Sequence, residues 1–211
     1  MTPRIRIAAT LLLLASLTAG AEVPELDALL AGFAQPAPAR TAYFERRDSP
    51  LLMQPLLFGG ELSQPNADEL VKTVEGAQPE RLRIAGERVE VQREGQGTRR
   101  FSLKRAPELA ALAASLRALL GGDRGLLERH FTIHLAPSGA GWTLDLKPTD
   151  ARVARKVRGM RLHGVAGEWR CFDLDLAEDE RSRMWLGPWA ESARAAADEP
   201  TRDALCGTSA Q

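Results

Sequence analysis

Few side chains in this sequence have the types and spacing that carry out chemistry. His130 and His134 are four residues apart, a spacing that holds a metal ion when both lie on one helical face. Phe131, Ile133 and Leu135, however, alternate as a strand does. On a strand the two imidazoles share a face but stand ~13 Å apart, at ~3.3 Å per residue, too far for one zinc ion. His163 falls on the polar parity of another strand-like segment, so all three read as surface histidines. Asp173 and Asp175 also share a parity, and a carboxylate pair is the usual device for acid–base work. Glu178, Asp179 and Glu180 follow closely, which favours a solvated strand edge and a polar turn. No serine sits in a nucleophile elbow. Gly121-Gly122-Asp123 precedes a helical segment and could hold an anion weakly, but a helix-to-helix turn explains the same residues. Trp142, Trp169, Trp185 and Trp189 read as core, or as the wall of a cavity. No catalytic residue, metal or cofactor is expected from this inventory. Binding is left as the chemistry to look for.

The elements that would position these residues begin after an export signal. Arg4 and Arg6 precede an apolar run from Ile7 to Leu17, and Ala19-Gly20-Ala21 ends it in small residues. That order predicts a secretory signal peptide over residues 1–21, cleaved after Ala21, and delivery to the periplasm. The run is shorter than the roughly 20 apolar residues of a spanning helix. Removing 21 of the 211 residues leaves 190, enough for one domain with a real core. The mature chain keeps 26 of the 28 basic residues against 28 acidic ones. Near-neutrality with interspersed charge gives no field for drawing in nucleic acid. A monomer is expected. Cys171 and Cys206 are the two cysteines, and an oxidising compartment permits a bridge between them.

Leu26, Leu29, Leu30 and Phe33 recur at helical spacing within 22–33, and Pro36 and Pro38 stop that helix. Strand-like segments follow at 41–47, 55–62, 70–74, 81–84, 88–92 and 99–103, joined by short connections rich in glycine. The period then changes. Leu109, Leu112, Ala113, Leu116, Leu119 and Leu120 form one stripe of a helix that opens at Pro107 and ends at Gly121-Gly122. Asp123 suits the N-cap of a second, short helix over 124–129. Strands resume at 131–135, 142–147, 157–163, 168–176 and 181–186, before an alanine-rich weak helix and a polar tail. The sum is an α+β chain with about ten strands, each with one apolar face. A sheet that long curls, and helices on its concave side would bury the apolar faces.

Several stretches carry a family likeness. Phe58-Gly59-Gly60-Glu61-Leu62 followed by Ala67-Asp68-Glu69-Leu70 is similar to a glycine-anchored strand and the turn into the next. Pro107-Glu108-Leu109 through Gly121-Gly122-Asp123, then Leu126-Leu127-Glu128 and Phe131, resembles a central helical insertion. Gly141 to Pro148 and Val157 to Gly164 resemble the strands after it. Together these resemble the LolA-like periplasmic lipoprotein carriers, in particular their divergent LolA-related branch. The resemblance implies an incomplete β-barrel closed by helices, formed by residues 22–190, with 191–211 a weakly helical polar tail. It implies an apolar hollow for the acyl chains of a lipoprotein or other envelope lipid, received from an inner-membrane transporter and passed to an outer-membrane acceptor. The main branch has an arginine, used in timing cargo release, before the proline of the second-strand motif; this sequence reads Ser63-Gln64-Pro65-Asn66 there.

On that reading the lining of the hollow would come from the apolar strand faces and the helix stripe. Phe58, Leu62, Val89, Val91, Phe101 and Leu103 would line one side. Trp142, Leu144, Leu146, Met160 and Leu162 would line the other, under a lid bearing Leu112, Leu116 and Leu119. The task has a clear physical basis: each acyl methylene left in water costs ~0.8 kcal/mol. Shape and hydrophobicity suffice for it. The competing readings are a periplasmic lipid-modifying enzyme and an envelope assembly factor that uses a sheet edge.

Overall fold

The computed structural model describes residues 24–207, so the expected signal peptide lies outside the described residues. The chain opens with helix α1 (Leu26–Phe33) and enters the sheet at β1 (Ala39–Asp48). It then meanders outward through β2 (Leu56–Asn66), β3 (Glu69–Glu75), β4 (Glu80–Ala85) and β5 (Arg88–Arg93) to the edge strand β6 (Gln96–Ser102). Helices α2 (Pro107–Gly121) and α3 (Arg124–His130) carry it across to the opposite edge. There β7 (Phe131–Ser138) starts a second meander through β8 (Gly141–Pro148), β9 (Val157–Val165), β10 (Glu168–Leu176) and β11 (Arg181–Leu186). β11 returns to pair with β1, placing Tyr43 opposite Leu186 and Arg47 opposite Ser182. The result is one antiparallel sheet of eleven strands whose edges, β6 and β7, do not meet. Such an open, curved sheet is the incomplete barrel expected, with one strand more than the approximate count.

The boundaries follow local chemistry. Gly95 turns at φ 69, so β6 begins at Gln96 rather than Arg99, and Leu103 passes into a 3-10 turn capped by the Ser102 hydroxyl. Helix α2 starts on Pro107 and ends where Gly122, at φ 64, takes the left-handed conformation open to a residue without Cβ. The Asp123 carboxylate accepts the amide of Leu126 at 2.8 Å and so begins α3. A single turn not foreseen in the sequence, α4 (Ala151–Ala154), is capped in the same way by Asp150.

The concave face carries the main core. Leu144 lies opposite Leu162, and Leu146 opposite Met160, between β8 and β9. Leu29, Leu30 and Phe33 of α1 press onto this half, with Phe33 5.7 Å from the Trp142 ring and 5.4 Å from Trp169. The indole of Trp142 lies so close to Gly164 that a Cβ there would sit 2.3 Å from it, which excludes any other residue.

The convex face is also covered, a departure from the expected one-sided arrangement. Phe44, Cys171 and Trp185 are apolar and point outward, and they need a cover. Helices α5 (Pro188–Ala195) and α6 (Glu199–Ala204) supply it. Ala193 and Cys206 are fully packed, and Cys206 is bonded to Cys171 with their Cα atoms 5.4 Å apart. Residues 191–207, expected as a polar tail, are thus laid onto the body. No helix among the described residues is long and apolar enough to cross a membrane.

Candidate functional site

The feature that stands out on the concave side is a hollow of about 310 Å³ between α2 and the strands around β1. Its roof is one stripe of α2: Leu109, Leu112, Ala113, Leu116 and Leu120. Its floor is built by Leu62 of β2, Leu70 of β3, and Leu82 and Ile84 of β4. Its far wall is Trp169, Phe172 and Leu174 of β10 with Met184 and Leu186 of β11. The stripe arises because residues three and four apart share a helical face. The floor arises because Leu70 stands opposite Ile84 and each points inward. The lining is mainly apolar, and the chemistry such a hollow offers is chiefly solvation.

Polar groups enter the lining at particular places. Gln64 is 8 % exposed, and its Oε1 is buried without a hydrogen-bond partner. It occupies the position before Pro65 where the resemblance leads one to look for an arginine. The side chains of Arg47 and Lys72 also line the hollow, and both converge on Glu45. Glu45 is 1 % exposed; Ser182 donates to its Oε1 at 2.6 Å and Arg47 at 3.0 Å, while the Lys72 ammonium pairs with Oε2. Burial alone would raise the Glu45 carboxyl, but Lys72, Ser182 and Arg47 outweigh it and hold it below its usual range. The Lys72 ammonium also lies 4.9 Å from the centre of the Tyr43 ring and 5.5 Å from that of Phe58, with Arg47 5.1 Å from Phe58. Burial pushes the Tyr43 hydroxyl well above its ordinary value, and it donates to the Thr73 carbonyl at 3.1 Å.

The residues expected to line a hollow divide into groups. Leu62, Leu112 and Leu116 face it directly. Trp142, Leu144, Leu146, Met160, Leu162 and Leu119 share the concave side but are packed solid under α1, α2 and α3, each 3 % exposed or less. Val89 and Leu103 join Ile84 and Ala113 in a separate small core at the β5–β6 end. Val91 and Phe101 border a larger, shallow depression of about 630 Å³ among Arg93, Arg99, Arg100 and Arg105. That groove is arginine-rich and lies at the sheet edge, so it offers an acyl chain poorer cover than the hollow. Phe58 lies beneath the Arg47 and Lys72 heads. Missed in the sequence, among others, were Gln64, Leu70, Lys72, Leu82, Ile84, Phe172, Met184, Leu186 and Arg47. Strand parity alone, applied to 70–74 and 81–84, would have placed Leu70, Lys72, Leu82 and Ile84 on one face.

His130 and His134 are exposed, and no metal-binding cluster exists among the described residues. His163 corrects the surface reading. It is 4 % exposed, next to Cys171 across the strand pair, and its Nε2 lies 2.8 Å from Asp173. Asp173 accepts two further bonds from Arg183, each 2.7 Å, on the convex face. Burial pushes its carboxyl up, but the bonds from Arg183 and His163 prevail and hold it at about 2. Asp175, its supposed mate, is exposed beside Arg181. The shared parity therefore serves an ion network under α6, where Arg183 also reaches Asp203 at 3.0 Å.

Comparison with known proteins bears on the whole arrangement. Curated protein sequences include no match. Among solved structures, the LolA superfamily protein NE2245 from Nitrosomonas europaea is 12% identical, covering 77% of this chain and 90% of its own, with a TM-score of 0.39. LprF from Mycobacterium bovis is 13% identical, with 86% and 99% covered and a TM-score of 0.34. MucB, in its complex with MucA from Pseudomonas aeruginosa, is 16% identical, with 88% and 62% covered and a TM-score of 0.30. The family model described as "Outer membrane lipoprotein carrier protein LolA-like" matches residues 18–209, nearly the whole chain. With eleven antiparallel strands curled around α1 and α2, the chain belongs to this LolA-like family.

Proposed function

We propose that this protein is a periplasmic carrier that shields the acyl chains of a lipoprotein or other envelope lipid and conveys them toward the outer membrane. The observation that carries the proposal is the half-open apolar hollow between α2 and β1–β4, β10 and β11. A long acyl chain in water costs about 10 kcal/mol at ~0.8 kcal/mol per methylene, and such a wall removes most of that cost. Ligand pockets run from ~300 to 1,000 Å³, and this one stands at the lower end. As it stands, the hollow admits a single chain; a triacylated anchor requires α1 and α2 to lift from the sheet. The Cys171–Cys206 bridge agrees with an oxidising compartment. An inner-membrane transporter as donor and an outer-membrane acceptor complete the proposed route, and the protein acts by binding, without turnover.

The test is direct. Protein purified from periplasm is extracted and its lipid analysed by mass spectrometry; the delipidated protein is then titrated with a fluorescent fatty acid. Bound acyl material in near-stoichiometric amount and saturable binding are expected. Absence of both would sink the carrier reading, and hydrolysis of an added acyl ester would turn it into that of a lipid-modifying enzyme.

A further inference from the structure

Charge is unevenly distributed around the hollow. Arg40, Arg47 and Lys72 contribute to its lining, and none of the lining residues is acidic among the described residues. Arg40 is largely in solvent and pairs with Glu61 at 3.8 Å. Arg47 and Lys72 are different, because a single carboxylate serves both. Glu45 sits behind the wall, 1 % exposed, and its oxygens are fully engaged by Lys72, Arg47 and Ser182. The next carboxylate on that face, Glu80, is engaged by Arg93. Two cations against one buried carboxylate leave a net positive charge beside an apolar enclosure. The Phe58 and Tyr43 rings hold the cationic heads in place. A purely hydrocarbon cargo gains nothing from that arrangement, and an uncompensated charge becomes costly once such a cargo displaces the water beside it.

We infer that the Arg47–Lys72 pair is an anion site at the wall of the hollow, and that the cargo is an amphiphile with one acyl chain in the apolar space and a carboxylate or phosphate on these two residues. The inference rests on the carrier reading and narrows its substrate class. Lys72 keeps Glu45 neutralised, so the guanidinium of Arg47, 44% exposed, can turn its donors other than the one on Glu45 toward the head group. Charge-assisted bonds of this kind discriminate strongly against a neutral head.

The experiment uses the folded, delipidated protein and three probes of equal chain length: dodecanoate, dodecyl phosphate and dodecanol. Each displaces a neutral fluorescent probe from the hollow at a pH where the carboxylate is ionised. Wild type is expected to bind at least one anion on the order of tenfold more tightly than dodecanol, with the preference weakened by salt. The better anion identifies the head group as carboxylate or phosphate. In Arg47→Gln, Glu45 retains Lys72 and Ser182, so the fold stands; anion affinity should fall several times further than dodecanol affinity, so that the anion preference drops toward one. Lys72→Gln, with Arg47 and Ser182 left on Glu45, should lower it in the same direction. Equal binding of all three probes by wild type would overturn the anion site and leave the carrier reading intact. So would an undiminished anion preference in Arg47→Gln. Failure of every probe, dodecanol included, would overturn both.

Discussion

The two halves of the concave face are built from the same alternating strands, yet one is solid and the other hollow. Under β8 and β9 the inward residues Trp142, Leu144, Leu146 and Leu162 are packed with no space left, each 1 % exposed or less. Under β1–β4 the corresponding positions are Leu62, Gln64, Leu70, Lys72, Leu82 and Ile84, with only the α2 stripe above them. The difference lies in what lands on the face. Helix α1 sets Phe33 against Trp142 of the first half and against Trp169 at the far wall of the hollow, but none of its residues lines the hollow itself. A curved sheet too long for its helices leaves room at the end where polar heads interrupt the apolar rows. The solid half is the anchor, and the hollow half is where something else fits.

The sharpest way to break this comparison is to truncate a residue in the solid half. Leu144 is 0 % exposed and faces Leu135 and Leu162 on the neighbouring strands. Leu144→Ala should cost ~2–5 kcal/mol in chemical denaturation, because the cavity it leaves cannot collapse. Binding of a fluorescent fatty acid should persist in the fraction that stays folded. A cost below about 1 kcal/mol would mean that this half also borders open space.

How far the sequence displays this division can be judged from particular residues. The strands, the α2 stripe and the Asp123 cap are legible because each depends on near neighbours: parity, a 3.6 period, a side chain three residues from its amide. Leu144 and Leu82 look equivalent on that basis, as both are inward leucines on alternating strands. What packs above each of them comes from far along the chain and makes one packed and the other half-exposed, and no local pattern records it. Lys72 could have been read as a cation on an inward parity between Leu70 and Val74. Its partner Glu45 could not, since it is supplied across β2 by pairings that sequence spacing does not encode. His163 misled for a related reason. Its parity is indeed outward, but the outward face is roofed by a segment whose polar composition gives no sign of packing.

A smaller effect comes from the convex side of the solid half, where ions rather than hydrocarbons are packed. The Asp173 carboxyl stands at about 2 when folded, against an ordinary 3.8. The unfolded chain therefore takes up this proton first as pH falls. Its contribution is complete above about pH 4 and is lost as pH drops through about 2, and by linkage it amounts to about 2 kcal/mol. Denaturation midpoints measured from neutral pH down to this window should fall, and Asp173→Asn should flatten the fall by about that amount. An equally steep fall in the variant would show that the Arg183 and His163 contacts do not stabilise the ionised form.

The smallest stability effect is expected in the hollow half, where the functional effect should be greatest. Leu116 is half-buried on the α2 stripe, with the space of the hollow on one side of it. A side chain that already lacks neighbours there loses little dispersion energy when shortened. Leu116→Ala should thus cost less than about 1 kcal/mol, well short of the penalty at Leu144. Leu116→Asp carries the argument further. A carboxylate in a solid core would be prohibitive, but here water can enter around it, so the fold should survive. The acyl chain should not: a charged group in the roof forces its methylenes to share the space with water. Denaturation and fatty-acid titration of both variants, beside Leu144→Ala, read the comparison in one experiment. If Leu116→Ala proves as costly as Leu144→Ala, the hollow is closed in solution and the two halves are alike. If Leu116→Asp folds and still binds, α2 is not the roof over the cargo.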